Sequence, residues 1–140
     1  MGINSFFDSI NLLHSALDVS TLRYEVTANN LANSEVPNYK KQYVNFESEL
    51  KRAFESRDNA GDSFKLQTTD PRHFKSEEPR NWRDVEPRRV TDFVTTAKAN
   101  GNNVDAEQEA MNIAKIQMQY RLISQMENFQ FNQIKTAIKK

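Results

Sequence analysis

The sequence predicts a mainly α-helical chain, in which two long terminal helices form a coiled-coil-like pair joined by a small irregular or β-hairpin middle segment. Apolar residues recur with helical spacing at both ends of the chain. Gly and Pro are absent from residues 3–36 and 106–138, whereas three of the four prolines lie between residues 40 and 98. The predicted organisation is an N-terminal helix at residues 1–36, a polar middle segment at 37–100 and a C-terminal helix at 101–140.

The composition limits both the core and the function. Only 37% of the 140 residues are hydrophobic and the mean hydropathy is −0.80, which suits long helices that bury one face. The 19 basic and 19 acidic residues cancel, so no nucleic-acid partner is expected. Cysteine is absent, which excludes disulfides and thiolate metal sites. A standard cleaved secretion signal and a membrane-spanning run are not expected either.

The N-terminal segment predicts a helix of about 30 residues, on the order of 45 Å long. Ser5 and Asp8 form an S-x-x-D start signal. Pro37 is expected to stop the helix, because a proline disfavours helical geometry in the preceding residue. Ser20 is a polar interruption in the apolar stripe, which consists of Phe6, Ile10, Leu13, Leu17, Tyr24, Ala28 and Leu31.

The C-terminal segment predicts the partner helix. Asp105 and Gln108 form a capping box after an Asn-Gly turn cluster. Acidic residues at the helix start and lysines at its end favour the helix dipole: Glu107, Glu109, Lys135, Lys139 and Lys140. One apolar stripe is formed by Ile113, Ile116, Tyr120 and Ile123, a second by Met118, Leu122, Met126 and Phe129, and the surface continues through Phe131, Ile134 and Ile138. Two stripes exceed what one partner helix buries, so further partners are expected.

The middle segment carries weaker signals. Residues 42–54 are compatible with a helical turn or two, with Val44, Phe46, Leu50 and Phe54 as candidate contacts. Residues 89–96 are β-prone and residues 64–68 alternate in polarity, which indicates a short hairpin or strand pair.

Catalytic and metal-binding sites are not predicted. The two histidines, His14 and His73, are far apart and share no metal-ligand spacing. No Gly-rich phosphate loop and no G-x-S-x-G motif occurs. We therefore expect no catalytic residue, no cofactor, no metal and no small-molecule substrate.

The end of the first helix carries the most distinctive motif, A-N-N-L-A-N-S-E-V-P-N-Y-K at residues 28–40. Asn29, Asn30 and Asn33 can hydrogen-bond freed carbonyls and close a helix C-terminus. On composition alone, the motif is also compatible with a simple Asn-rich helix end.

This motif resembles the A-N-N-[IL]-A-N-x-x-T-P-G-[FY]-K signature of flagellar rod, hook and related axial proteins. Val36 and Asn38 replace the usual Thr and Gly; Asn tolerates a positive φ, whereas Val cannot supply a hydroxyl cap. Three further stretches are similar to motifs of the proximal rod proteins in that family: residues 13–23, 68–73 and 101–120. The resemblance covers nearly the whole chain.

The resemblance implies a structural subunit of the proximal rod of the bacterial flagellar basal body, and not an enzyme. Such a subunit self-assembles through its terminal helices, transmits torque and lines the export channel. The flagellar type III apparatus would export it unfolded, without a cleaved signal. Expected partners are copies of itself, other rod proteins, and the MS-ring and export-gate adaptor proteins. The alternative is a soluble helical adaptor or export chaperone of the flagellar system.

We expect assembly and packing to depend on apolar residues of both helices and on polar residues at their facing ends. These residues are Phe6, Ile10, Leu13, Leu17, Tyr24, Asn29, Asn30, Leu31, Asn33, Pro37, Tyr39, Asn103, Asp105, Ile113, Ile116, Tyr120, Ile123, Met126 and Ile134.

Overall fold

The computed structural model describes residues 3–60, 80–95 and 98–139. Two long helices pack together, with a small two-stranded antiparallel sheet between them in sequence, which confirms the predicted fold class. The elements in chain order are α1 (Ile3–Ala32), β1 (Gln42–Asn45), α2 (Glu47–Ala60), a 3₁₀ turn (Trp82–Asp84), β2 (Arg88–Thr91) and α3 (Ala106–Ile138).

The two long helices run antiparallel. His14, in the first half of α1, lies 3.5 Å from Glu127 near the end of α3, measured from Nδ1 to Oε1. Asn30, at the end of α1, donates to Glu109 at the start of α3. The helices contain 30 and 33 residues.

The bounds of α1 differ from the predicted ones at both ends. The helix begins at Ile3, so Ser5 lies inside the first turn rather than at the start. It ends at Ala32, before the predicted end at Val36. At this end the Asn29 carbonyl accepts from both the side-chain amide and the backbone N–H of Asn33, at 2.7 and 3.1 Å. The chain then turns through residues 33–38, where the distant Asn102 side chain donates to the carbonyls of Asn33 and Ser34.

α3 begins at Ala106, directly after the predicted cap and five residues after the predicted bound of 101. Asp105 is the N-cap, and its Oδ1 accepts from the backbone N–H groups of Glu107 and Gln108 at 3.0 and 3.2 Å. The Gln108 side-chain amide donates to Asn112 Oδ1 at 3.4 Å, so Asp105 supplies its half of the capping box and Gln108 bonds along the helix instead.

The middle segment contains a strand where helical turns were expected. Gln42–Asn45 is β1, and the helix begins only at Glu47. Val44 is buried and Tyr43 is exposed, which is the alternation of a strand. Its partner β2 overlaps the predicted β-prone stretch. The alternating residues 64–68, predicted as a possible strand, lie outside the described residues.

The chain divides into two compact units. The first comprises residues 1–44 and 88–140, and so contains the helix pair. The second comprises residues 45–87. Within it, the Phe54 ring stacks on the Trp82 ring with 6.2 Å between centroids, and Phe46 and Ala53 are buried.

Candidate functional site

A cluster of buried polar side chains lies where the end of α1 meets the start of α3. We call it the helix junction and define it by Asn30, Lys41, Asn102, Asn103 and Glu109. Within the described part of the chain, every buried side-chain nitrogen and oxygen has a hydrogen-bond partner. Because unsatisfied buried polar groups are costly, this complete pairing makes the junction specific for one arrangement of the helices.

Asn30 uses both ends of its amide and is 1% exposed. Its Nδ2 donates to the Gln42 carbonyl at 2.7 Å and to Glu109 Oε2 at 3.2 Å. Its Oδ1 accepts from the Gln42 backbone N–H at 3.0 Å and from the Tyr39 hydroxyl at 3.3 Å. One side chain therefore connects α1, β1 and α3.

Asn102 closes the C-terminal end of α1 from a distant part of the sequence. Its Nδ2 lies 2.9, 3.0 and 2.8 Å from the carbonyl oxygens of Asn33, Ser34 and Val36. Its Oδ1 accepts from the Val104 N–H at 2.7 Å. The carbonyls after a helix end lack intrahelical partners, and this fully buried amide supplies one.

Asn103 connects the two segments that flank the strands. Its Oδ1 accepts from the Lys41 backbone N–H at 2.6 Å, just before β1. Its Nδ2 donates to the Asp92 carbonyl at 2.9 Å, just after β2. The start of α3 is thereby fixed to the strand pair.

Lys41 and Glu109 form an ion pair at the centre of the junction. Lys41 Nζ lies 2.6 Å from Glu109 Oε1, and the Glu109 side chain is 1% exposed. Glu109 also accepts from Asn30 and from Asn112, the latter at 3.3 Å. One cation and two amide donors offset the cost of removing the Glu109 carboxylate from water. The loss of one of these partners would leave a buried negative charge without full compensation, which is destabilising.

The pKa of Tyr39 is affected by the burial and the charge of the junction. Burial, and then the negative charge of Glu109, raise the pKa of the Tyr39 phenol above its ordinary value of 10.0. The phenol therefore remains protonated at neutral pH and can donate to Asn30.

Two positive-φ residues lie side by side where the loops of the junction meet. Asn38 has φ 60° and Gly101 has φ 79°. The Asn38 N–H donates to the Asn100 carbonyl at 3.0 Å. A Cβ on Gly101 would lie 2.6 Å from Oδ1 of the exposed Asn38 side chain, which can rotate away, so glycine is favoured at this position chiefly by φ. Asn38 adopts the positive φ expected for it, and the exposed Val36 side chain leaves capping to Asn102.

The structure places the predicted polar residues mostly in or beside the junction. Asn30 and Asn103 are buried, Tyr39 and Asn33 are half-buried, and Asn29, Pro37 and Asp105 are exposed. Asn29 contributes its backbone carbonyl to the closure of α1, and Asp105 caps α3.

The predicted apolar residues of α1 flank the face that is buried in the monomer. Among the residues of this helix whose burial the structure describes, the buried ones are Val19, Ser20, Val26, Thr27 and Asn30. Ser20, interpreted above as an interruption of the apolar stripe, is buried and donates to the Ala16 carbonyl at 2.7 Å. The predicted residues are less covered: Phe6, Ile10, Leu13, Leu17 and Leu31 are half-buried and Tyr24 is 44% exposed.

The first predicted stripe of α3 faces the same side as the contacts with α1. Ile116 is buried, Ile113 and Ile123 are half-buried, and Tyr120 is 43% exposed. Glu109, Ile116 and Glu127 are spaced by multiples of a helical repeat, and Glu109 and Glu127 contact α1 directly. Of the remaining predicted residues, Ile134 is half-buried and Met126 is 49% exposed.

A second apolar face of α3 is left open. Met111, Met118, Leu122 and Phe129, which we call the outer stripe, are 60%, 73%, 58% and 63% exposed. At about 100° per residue these four positions fall within a sector of about 40°, on the opposite side of α3 from Glu109. The outer stripe contains Met118, Leu122 and Phe129 of the second predicted stripe, with Met111 added and without Met126.

Sequence reasoning missed three members of the junction: Lys41, Asn102 and Glu109. Glu109 was interpreted as a dipole-favouring acid of the first turn, and Asn102 as part of a turn. The only local signal was the pairing of two Asn-rich stretches at facing helix ends, residues 29–33 and 100–103.

In the part of the chain that the structure describes, no group of three or more His, Cys, Asp or Glu side chains is placed to hold a metal ion. Nor does any helix there combine the length and apolar character needed to cross a membrane. His73 lies outside the described residues, while His14 pairs with Glu127 on the helix pair.

Known proteins resemble this chain over nearly its whole length. No protein-family model matches it. The flagellar basal body rod protein FlgB of Borreliella burgdorferi is 34% identical over 137 residues, which cover 98% of this chain and 100% of that protein. FlgB of Bacillus subtilis is 30% identical over 133 residues, 95% of each chain. FlgB of Escherichia coli is 26% identical over 114 residues, 81% of this chain and 80% of that protein. The chain therefore belongs to the FlgB family of flagellar basal body rod proteins.

Proposed function

We propose that the chain self-assembles within the rod through α1 and α3, as a proximal rod subunit whose helices transmit torque and line the export channel. Its neighbours would be copies of itself, other rod proteins, and the MS-ring and export-gate adaptor proteins. Delivery would be in unfolded form through the flagellar type III apparatus, without a cleaved signal. The observation that carries the proposal is the outer stripe.

The outer stripe is an unfavourable surface for an isolated chain. Covering one large apolar side chain contributes roughly 1.5–3 kcal/mol, so four on one helix face provide a strong drive for association. The stripe lies opposite the contacts with α1, so the chain cannot cover it with its own partner helix. A neighbouring subunit can cover it without disturbing the helix pair.

The half-buried residues of the helix pair support the same proposal. Leu13, Leu17, Ile113, Ile123 and Ile134 keep part of their surface exposed in the single chain. The predicted assembly and packing residues therefore serve two purposes in this proposal: they pair α1 with α3, and they present the remaining apolar surface to neighbours.

Leu122→Asp tests the proposal. The side chain is 58% exposed, so the variant should fold with a helix pair close to that of the wild type. A carboxylate buried without a partner costs several kcal/mol, and that cost would recur in every copy of an assembly. We expect the variant to be made and exported but to be missing from isolated basal bodies, leaving cells without hook and filament.

Asn128→Asp is the matched control, because it introduces the same charge at an exposed position of α3 outside the outer stripe. It should enter basal bodies and support motility. Immunoblots of culture supernatant and basal-body fractions measure export and incorporation separately. Normal incorporation of Leu122→Asp would rule out the outer stripe as an assembly surface.

A further inference from the structure

A second open surface lies along one side of the seam between α1 and α3. It is a groove of about 330 Å³, whose walls include Thr21 and Tyr24 from α1 and Ile116, Tyr120 and Arg121 from α3. The Tyr24 and Tyr120 side chains are 44% and 43% exposed. We call this surface the tyrosine groove.

The tyrosine groove and the outer stripe lie on different sides of α3. Taking about 100° per residue, the centre of the groove-lining positions 116, 117, 120 and 121 is about 150° away from the outer stripe. A chain therefore cannot place its own outer stripe in its own groove. Both surfaces remain available to other chains at the same time.

The two surfaces match in length and in polarity. The groove spans about one helical turn of each wall, and Met118 and Leu122 are separated by one turn on the outer stripe. Residues 110–134 of α3 include only three charged residues, Lys115, Arg121 and Glu127. Methionine and leucine side chains can therefore enter the groove beside Tyr24 and Tyr120, where Arg121 is the one charged side chain among the lining residues that the structure describes.

The groove on the other side of the seam is a poorer receptor for the outer stripe. Its walls include Arg23, Lys41 and Lys115, with the buried carboxylate of Glu109 at its floor. Apolar side chains there would desolvate charged groups, which is unfavourable.

From this match we propose that the outer stripe of one copy docks in the tyrosine groove of the next copy. This rests on the self-assembly proposed above and specifies which two surfaces meet. Because the surfaces differ, the contact is heterologous, and repeated head-to-tail addition builds an open helical array unless the ring closes. A stripe-to-stripe contact would instead be two-fold symmetric and would stop at a dimer.

Cross-linking in assembled rods distinguishes these arrangements, and the natural chain has no cysteine to interfere. A Thr21→Cys/Met118→Cys chain carries one thiol at the groove and one on the outer stripe. After treatment of isolated basal bodies with a short bis-maleimide, we expect a ladder of dimers, trimers and larger products. Each single-cysteine variant should remain monomeric. Gln117→Cys/Leu122→Cys is a second pair with the same expected ladder, for use if the first does not enter rods.

Thr21→Cys/Asn128→Cys is the matched control, because Asn128 is exposed on α3 outside the outer stripe, and it should give no ladder. Dimers from Met118→Cys alone would overturn the proposal in favour of a symmetric contact. Rods that contain a double-cysteine chain but give no ladder would also overturn it. Incorporation is read from the same fractions, so failure of this contact is distinguishable from failure of self-assembly itself.

Discussion

At the residue scale, the amide of Asn30 is bonded at both ends, and its donor and acceptor are not interchangeable. The Nδ2 group faces two acceptors, the Gln42 carbonyl and the Glu109 carboxylate. The Oδ1 atom faces two donors. Any acceptor-only side chain of the same shape would therefore face Glu109 without a proton to donate.

Asn30→Asp makes this change with almost no change in volume. We expect a loss of about 3–5 kcal/mol in the free energy of unfolding, because a second carboxylate is buried beside Glu109. The neighbouring Asn29 has an exposed side chain, and Asn29→Asp should cost less than about 1 kcal/mol, chiefly through the helix dipole. Urea unfolding followed by circular dichroism compares the two variants. Equal losses would contradict the role assigned to Asn30.

Gly101→Ala tests the pair of positive-φ residues. An alanine at φ 79° is strained, and its Cβ also displaces the exposed Asn38 side chain, so we expect a loss of about 1–3 kcal/mol, chiefly from φ. Asn38→Gly alone should be close to neutral, since glycine accepts φ 60°. Glycine at position 38 removes the displaced side chain but not the strain at φ 79°, so the double variant should keep most of the loss. A double-mutant cycle measured by urea unfolding checks this, and recovery of most of the loss would contradict φ as the main cause.

At the scale of elements, burial is concentrated at one end of the helix pair. Among the described residues of α3, the buried ones are Glu109 and Ile116. Those of α1 lie between Val19 and Asn30. Since the helices are antiparallel, both sets lie toward the junction. The opposite end contains residues 6–18 and 117–138, whose described side chains are half-buried or exposed.

Amide hydrogen exchange in the dilute protein should follow this gradient. We expect slow exchange at residues 26–34 and 104–116, where the helices are anchored by the junction, and fast exchange at residues 6–14 and 120–138. Long helices with little tertiary burial are marginal in water, which is the physical reason. Exchange measured by mass spectrometry on the free protein resolves these segments. Uniform protection along α3 would show that the open end is already stable in the monomer.

The helices were predictable from sequence because their signals are local: spacing of apolar residues, absence of Gly and Pro, and the cap at Asp105. The end of α1 at Ala32 was not, because Asn102 reaches it from 68 residues beyond Ser34. Strand β1 was missed for the same reason, since its ladder partner β2 is distant in sequence. The buried face of α1 differs from the predicted apolar stripe because it includes Ser20 and Thr27. These residues are polar by type, but their side chains are small enough to be buried.

At the scale of the whole molecule, the chain is a structural protein of the flagellar basal body rod and not an enzyme. The relatives decide between the two functions considered from sequence, since they are rod proteins rather than adaptors or chaperones. The composition fits this role. Equal numbers of acidic and basic residues remove long-range repulsion between copies, so apolar contacts can bring them together.

The paired strands β1 and β2 also determine where this protein can change during evolution. They pair with each other at the two ends of residues 45–87. The strand pair thus holds the two ends of that segment together, whatever the number of residues in it. Each doubling of a flexible loop costs only about 0.6 kcal/mol. Insertions between the strands that spare the packing of Phe46, Ala53 and Trp82 are therefore inexpensive for the helix pair, whereas a single inserted residue in residues 28–44 or 98–112 would displace the junction bonds. The placement of these hydrogen bonds therefore makes changes of length more tolerable in residues 45–87 than in the helix pair.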